Sequence, residues 1–438
     1  MYQRFQTHTT RSNGHGQLLC ELLATATQAA DPGQQIAHIL HTDTTQVVIG
    51  TEIFTPRSVV LLAVGKAAQT MAAAAAARLG THLSHGLVIY KDDEGVARHP
   101  RLHYHAAGHP IPDERSLQAG RLARQLVAQT SPDQLVVVLL SGGGSALMCD
   151  PYPGITLPMM QQLTRDLLAC GADISAINTI RRRIDRVKGG GLLQAAQGTP
   201  MCTLILSDVI GNPLAAIASG PTVPNPDEAH AAWQVIEQYH MADRLHPVLF
   251  DVLHAPMTNP AVASPTYLIG DITQSIHAVT MQARTLGYTT VVVDSALTGD
   301  ARRVGQWLGH IVASYHAVDT PHCIIAGGET TMTVTGSGTG GRNQELALAA
   351  AQAIAGHTNI ILAAYATDGN DGPTDAAGAV ASGDTMARAA AIGLNLAETL
   401  SQNNTYAWWN ALGDLLMPGA TGTNVNDMFV ALIAPHTR

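Results

Sequence analysis

Along the chain, short continuous apolar runs alternate with longer stretches whose apolar residues recur at helical spacing. The runs at Val59–Val64, Gly86–Tyr90, Leu135–Leu140, Cys202–Leu206, Thr290–Val293, Cys323–Ala326, Ile360–Ala364 and Met428–Ile433 read as strands. Between them, Ala67–Leu79, Ser116–Gln129, Pro158–Cys170, Ala229–Tyr239, Thr273–Leu286 and Gln344–Ala355 read as helices. Strands that are apolar on both faces and alternate with helices predict largely parallel sheets covered by helices on either side. Ligands in such folds gather beyond the carboxyl ends of the strands, where the loops lie. At 438 residues the chain exceeds what one core accommodates, so two or three domains are expected. The polar, proline-bearing stretch Ala255–Pro265 is the best linker. It gives an N-terminal domain of residues 1–255 and a C-terminal domain of residues 256–438, with 256–320 free to join either sheet.

Composition narrows the class. The chain is 46% hydrophobic and 13% charged, with 41 glycines, which suits a compact enzyme and excludes a disordered protein. A net charge of −9 argues against nucleic acid as a general partner but leaves room for a small anion held locally. Five scattered cysteines, with no C-x-x-C, fit reduced thiols. The N-terminus is polar and no apolar run approaches the length of a membrane span, so a soluble cytoplasmic protein is expected. The 20 histidines are dispersed, without metal-ligand spacing, and read as ordinary surface or packing residues.

Candidate chemistry concentrates where strands run into glycines. Gly327-Gly328-Glu329 is followed by Gly336-Ser337-Gly338-Thr339-Gly340-Gly341-Arg342 at the start of a helix. Glycines allow close approach of backbone to a ligand, and a helix N-terminus offers N–H groups to an anion. Arg342 would add a planar fork for phosphate or carboxylate. Ser141-Gly142-Gly143-Gly144-Ser145 repeats the design after another strand. Lys66 ends a strand in Val64-Gly65-Lys66-Ala67, Asp208 follows another, and Asp368, Asp371 and Asp375 cluster after a third. The basic helix Arg181-Arg182-Arg183 leads into Lys188-Gly189-Gly190-Gly191. There is no P-loop, no G-x-G-x-x-G after the first strand, and only a broken G-x-S-x-G at Gly143-Gly144-Ser145. Cations and N–H groups to hold spreading charge, with carboxylates for a divalent metal, are what phosphoryl transfer requires.

With these motifs the chain resembles the glycerate 2-kinase family, the class II type related to tartrate-utilisation proteins and sometimes labelled hydroxypyruvate reductase. The match also rests on Gly108-His109-Pro110-Ile111-Pro112-Asp113, Ser207-Asp208-Val209-Ile210-Gly211, Ser219-Gly220-Pro221-Thr222, Thr367-Asp368-Gly369-Asn370-Asp371-Gly372 and Thr423-Asn424-Val425-Asn426-Asp427. The resemblance implies two three-layer α/β/α domains, the N-terminal one Rossmann-like, with the active site in the cleft between them. It implies transfer of a phosphoryl group from ATP to the 2-hydroxyl of D-glycerate, with Mg2+ or another divalent cation. By the same resemblance Lys66, Asp208 and Arg342 are the catalytic candidates. Ser141, Gly142, Gly143, Gly144, Ser145, Lys188, Gly338, Gly340 and Gly341 would hold the nucleotide and substrate, and Asp208 and Asp368 the metal. The partners are then ATP and D-glycerate, without nucleic acid or membrane, and a homodimer is left open. Two departures stand out: Asn212 where an aspartate is expected, and Asp185 where a serine is usual before Lys-Gly-Gly. The rival readings are an NAD(P)H-dependent reductase of hydroxypyruvate or tartronate semialdehyde, and a non-catalytic sensor of small acids.

Overall fold

A computed structural model of the protein describes residues 2–91, 95–228, 230–255 and 263–436. The chain forms two compact units, one of residues 32–269 and one that joins residues 1–31 to 270–438. This differs from the expected division at residue 255. Residues 256–262 of the linker candidate lie outside the described residues.

In the unit of residues 32–269, a small antiparallel sheet is made by β1 (Leu40–Thr42), β2 (Val47–Ile49) and β3 (Glu52–Phe54). The main sheet contains β4 (Ser58–Val64), β5 (Leu83–Tyr90), β6 (Leu102–Ala106), β7 (Gln134–Leu140), β8 (Met201–Leu206) and β9 (Thr266–Gly270). Its order is β6-β5-β4-β7-β8-β9, and β4 to β8 pair in parallel. Counted along the chain this is 3-2-1-4-5-6, the Rossmann order, so the expected fold of this region holds. The sheet's last strand, β9, explains the boundary: residues beyond 255 return to the first sheet. β4 and β7 are apolar and buried after their first residues, Ser58 and Gln134, and β8 is buried throughout with Thr203 its one polar residue, because helices cover both faces. Four further helices, Leu157–Ala169, Ile174–Ile184, Ala231–Gln238 and Pro247–His254, bury their own apolar cluster around Leu163, Leu167, Ile177, Ile180, Ile236 and Leu253.

The other unit is built on a six-stranded sheet of β10 (Thr289–Leu297), β11 (His322–Gly328), β12 (Ile360–Ala366), β13 (Gly378–Ser382), β14 (Leu415–Leu416) and β15 (Asp427–Ile433). The order is β10-β11-β15-β12-β13-β14. Only β10 and β11 pair in parallel; the other four pairings are antiparallel. A largely parallel sheet was expected here. The final strand of the chain inserts between β11 and β12 in the opposite direction, and β13 returns antiparallel to β12. Both cases leave strands as apolar as a parallel sheet would, because both faces are covered. One covering helix is Gly16–Ala29, whose Leu19, Leu22 and Leu23 join Ile272, Ile276 and Val279 in one core. Its carbonyls at Leu23 and Ala26 accept from Tyr365 Oη and Ser275 Oγ, which anchors the N-terminus to this unit. On the opposite face, Gly305 and Gly309 let helix Ala301–Ser314 press on the backbone of the alanine-rich helix Arg342–Ala353.

Candidate active site

In the unit of residues 32–269 the strand order reverses between β4 and β7, the place where such sheets bind ligands. Val64, Leu140 and Ile205 are level in the register, so the loops carrying Lys66, Ser141–Ser145 and Asp208 leave one edge of three adjacent strands. The first two loops are locked together. Ser141 N donates to Val64 O (2.9 Å), Lys66 N to Gly142 O (2.9 Å), and Ala67 N to Ser141 Oγ (3.1 Å). Gly65, at φ +132°, has Ser141 O only 2.6 Å from where a Cβ would stand, so no side chain fits. Gly143, at φ +84°, lies under the Lys66 stem and the His109 ring, 3.5 Å and 2.9 Å from its would-be Cβ. The loop after β6 thus reaches across the sheet edge to bring His109 beside Lys66. The backbone N–H groups of Gly142, Gly143, Gly144 and Ser145 donate to no group among the described residues. Four successive open donors next to a half-buried lysine form a cradle for an anion.

A left-handed turn packs on this loop. Ala218, Ser219 and Gly220 have φ of 51°, 60° and 64°, and the Ala218 methyl lies 2.8 Å from where a Gly144 Cβ would stand. Two successive non-glycine residues in this region store strain, which surrounding bonds must hold. Gly189 N donates to Ser219 O (2.9 Å) and Gly190 N to Gly220 O (2.7 Å). Ser219 Oγ meets Ser145 Oγ at 2.8 Å and donates to Asn178 Oδ1 at 3.2 Å. Gly189 and Gly190 of the Lys-Gly-Gly-Gly motif therefore spend their N–H groups on this turn. Lys188 itself points inward, with 1% of its side chain exposed. Its ammonium lies 2.5 Å from Asp185 Oδ2 and 3.0 Å from Met148 O. Burial pulls the ammonium down, but Asp185 more than compensates and leaves it above its ordinary value. The expectation that Lys188 binds the nucleotide is thus corrected: Asp185, the residue that departs from the family pattern, takes its charge.

The second glycine loop is partly engaged by the protein itself, although the N–H groups of Ser337, Gly340, Gly341 and Arg342 donate to no group among the described residues. Gly336 N donates to Asn403 Oδ1 (3.0 Å), Gly338 N to Gln402 O (2.8 Å), and Thr339 N to Asn404 Oδ1 (3.3 Å). Gly340 packs on Asn403 and Thr405. At the helix start, Asn343 N and Gln344 N donate to the two oxygens of Asp371 at 3.0 and 2.9 Å. A Cβ on Gly341 would stand 2.5 Å from Asp371 Oδ1 and nearer still to its carboxyl carbon. The anion at this helix N-terminus is the protein's own carboxylate. Gly338, Gly340 and Gly341 let chain and carboxylate approach closely, and Gly340 and Gly341 keep N–H groups that donate to no group among the described residues. Burial pushes the Asp371 carboxyl up to about 6, with the two N–H groups pulling the other way.

Arg342 opens that helix. Its Nε and Nη2 donate to Asp427 at 2.7 and 3.1 Å, and its Nη1 to Glu329 at 2.8 Å. Two of its five N–H bonds remain. Burial works against the cation, yet Asp427 and Glu329 hold it well above its ordinary value. Burial also pushes the Asp427 carboxyl up, and Arg342 draws it back. Glu329, Asp368 and Asp427 stand at the same sheet edge, beyond the ends of β11 and β12 and at the start of β15. Asp368 Oδ1 accepts from Asn370 N at 3.0 Å. Asp208 and Asp368 belong to different compact units. No group of three or more His, Cys, Asp and Glu among the described residues forms a metal site from protein alone.

Sequence reasoning overlooked His109, Asn178, Asp371, Glu329 and Asp427. Four of these, His109, Asp371, Glu329 and Asp427, lie in the motifs named above, but dispersal among many histidines hid the first and a reading as an acidic turn the second. Nothing local marks Glu329 or Asp427 as the carboxylates that hold Arg342.

Comparison with known proteins agrees with this architecture. Residues 18–254 match the family described as a domain of unknown function, DUF4147, and residues 322–427 match the MOFRL family. The D-glycerate 2-kinase of Thermotoga maritima is 37% identical over 381 residues, covering 86% of this chain and 90% of the relative. The glycerate 2-kinase of Pyrococcus horikoshii is 34% identical over 430 residues, covering 94% and 96%. The crystal structure of a glycerate kinase from Thermotoga maritima superposes with a TM-score of 0.85 at 34% identity, over 94% of this chain and 98% of that one. With this identity along nearly its whole length and a TM-score of 0.85, the chain belongs to the glycerate 2-kinase family.

Proposed function

We propose that the protein transfers the γ-phosphoryl group of ATP to the 2-hydroxyl of D-glycerate, releasing ADP and 2-phosphoglycerate. Family membership carries the reaction class, and the reductase reading finds no support among the relatives. The observation that carries the site is the open cradle Gly142–Ser145 with Lys66 at the switch point. Phosphoryl transfer spreads negative charge over the equatorial oxygens, so preorganised N–H groups and an ammonium stabilise its transition state. Lys66 would neutralise the transferring phosphoryl or the attacking oxygen. Asp208, half-buried beyond β8, would accept the hydroxyl proton or hold the metal. Mg2+ keeps several waters and binds through one or two carboxylates plus substrate phosphates, a role Asp208 could fill beyond the end of β8. When bound, the ion would offset charge between the phosphates. Arg342 keeps two N–H bonds for an anion, and its link to the half-exposed Glu329 is the weaker restraint.

A coupled assay of ADP release with Mg-ATP and D-glycerate tests the proposal. Enolase should accept the product directly. A product that needs phosphoglycerate mutase first would move the transfer to the 3-hydroxyl. Absence of ADP release across several metals would overturn the kinase reading.

A further inference from the structure

The proposed acceptor carries a carboxylate that must be held while its hydroxyl reacts, and the cations expected to do this are differently engaged. Arg342 already faces two carboxylates and Lys188 is buried on Asp185. Along the basic helix Ile174–Ile184 and its continuation, Arg182 is paired with Asp227 at 2.7 Å and Arg186 with Asp150 at 2.7 Å. Arg181 and Arg183 are the exceptions: Arg183 is buried, with Nε and Nη2 lacking a hydrogen-bond partner among the described residues, while Arg181 is the partly exposed one. Arg181 has no carboxylate within ion-pair distance among the described residues, and its one hydrogen bond runs from Nη1 to Asn178 Oδ1 at 3.4 Å. Asp185, the acid near it, is occupied by Lys188. Burial draws the Arg181 guanidinium below its ordinary value.

Resting on the kinase reading above, we propose that Arg181 binds the carboxylate of the hydroxy-acid substrate, with the Ser145–Ser219 hydroxyl pair beside it. Its place in the fold supports this. The Asn178 carboxamide that steadies Arg181 also accepts from Ser219 Oγ, which meets Ser145 Oγ at the end of the open cradle. Three hydrogen bonds therefore connect the unpaired guanidinium to the loop where the phosphoryl group would sit. The strained Ala218–Ser219 backbone is what delivers Ser219 to both partners. A planar fork lacking an acid partner is suited to a carboxylate.

Steady-state kinetics of Arg181→Gln and Arg181→Lys, with D-glycerate and with its neutral amide, test the assignment. In Arg181→Gln the KM for glycerate should rise about 30- to 100-fold, as expected for a lost charge-assisted pair, with the KM for ATP unchanged. The preference of the wild-type protein for the acid over the amide should collapse by the same factor. Arg181→Lys should fall between, and it decides on the same ratio if Arg181→Gln does not fold. Unchanged acid-over-amide preference, or equal rises for glycerate and ATP, overturns the proposal. A wild-type protein that phosphorylates no glycerate defeats the kinase reading itself, which is a separate outcome.

Discussion

Replacing Gly341 with alanine tests whether the second glycine loop holds a ligand or the protein's own Asp371. The new Cβ would stand 2.5 Å from Asp371 Oδ1, where ordinary contacts begin near 3.4 Å, so the carboxylate must retreat by about 1 Å. Its bonds to Asn343 N and Gln344 N, at 3.0 and 2.9 Å, would then stretch beyond useful length. Each buried N–H left without a partner costs about 1–3 kcal/mol. Removing the carboxylate altogether adds the loss of a cap, about 1 kcal/mol. Asp371→Ala should therefore cost about 3–5 kcal/mol and Gly341→Ala about 3 kcal/mol. If both act through the same contact, the double variant should be no less stable than Asp371→Ala alone, a coupling of about 3 kcal/mol. Urea unfolding followed by tryptophan fluorescence measures this, because Trp307, Trp408 and Trp409 all lie in this unit. Trp409 Nε1 donates to Gln344 O, one residue from the cap. Additive losses in the double variant would refute the argument. So would a Gly341→Ala protein of unchanged stability whose KM for ATP rises.

Lys66→Ala should lower kcat by about 10²–10³ with an unchanged unfolding midpoint, and near-normal turnover would remove Lys66 from the mechanism. Lys188→Met should leave Asp185 as a lone buried charge and cost about 3–5 kcal/mol by thermal or urea unfolding, while the KM for ATP of the folded fraction stays put. A selective rise in that KM would restore Lys188 as a nucleotide ligand. Native thiol titration at pH 8 should find one fast cysteine, the exposed Cys170. Burial pushes Cys149 up to about 11 and Cys202 and Cys323 to about 12, so they stay protonated and shielded until denaturant is added. Several fast thiols in the native protein would contradict that packing.

What the sequence determined by itself was everything encoded over short distances. Period and apolar runs placed the strands that became β4, β5, β7, β8, β10, β11, β12 and β15, because a buried strand or helix face needs its apolar residues locally in place. Weakly apolar elements escaped, such as β6, Leu-His-Tyr-His-Ala at a sheet edge with partly exposed side chains. The motif loops at Lys66, Ser141–Ser145 and Asp208 were legible too, since strand ends and glycines mark them. Tertiary structure alone decided which donors stayed open. The two glycine loops look alike in sequence, yet among the described residues one keeps four successive N–H groups without a partner, whereas beyond the other Asp371, some 30 residues away, takes the N–H groups of Asn343 and Gln344. Likewise Arg181 and Lys188 share one basic stretch, but Asp185 reaches only the lysine. Whether a polar group serves the fold or a ligand depends on what long-range packing brings within 3 Å of it, and spacing along the chain carries no record of that.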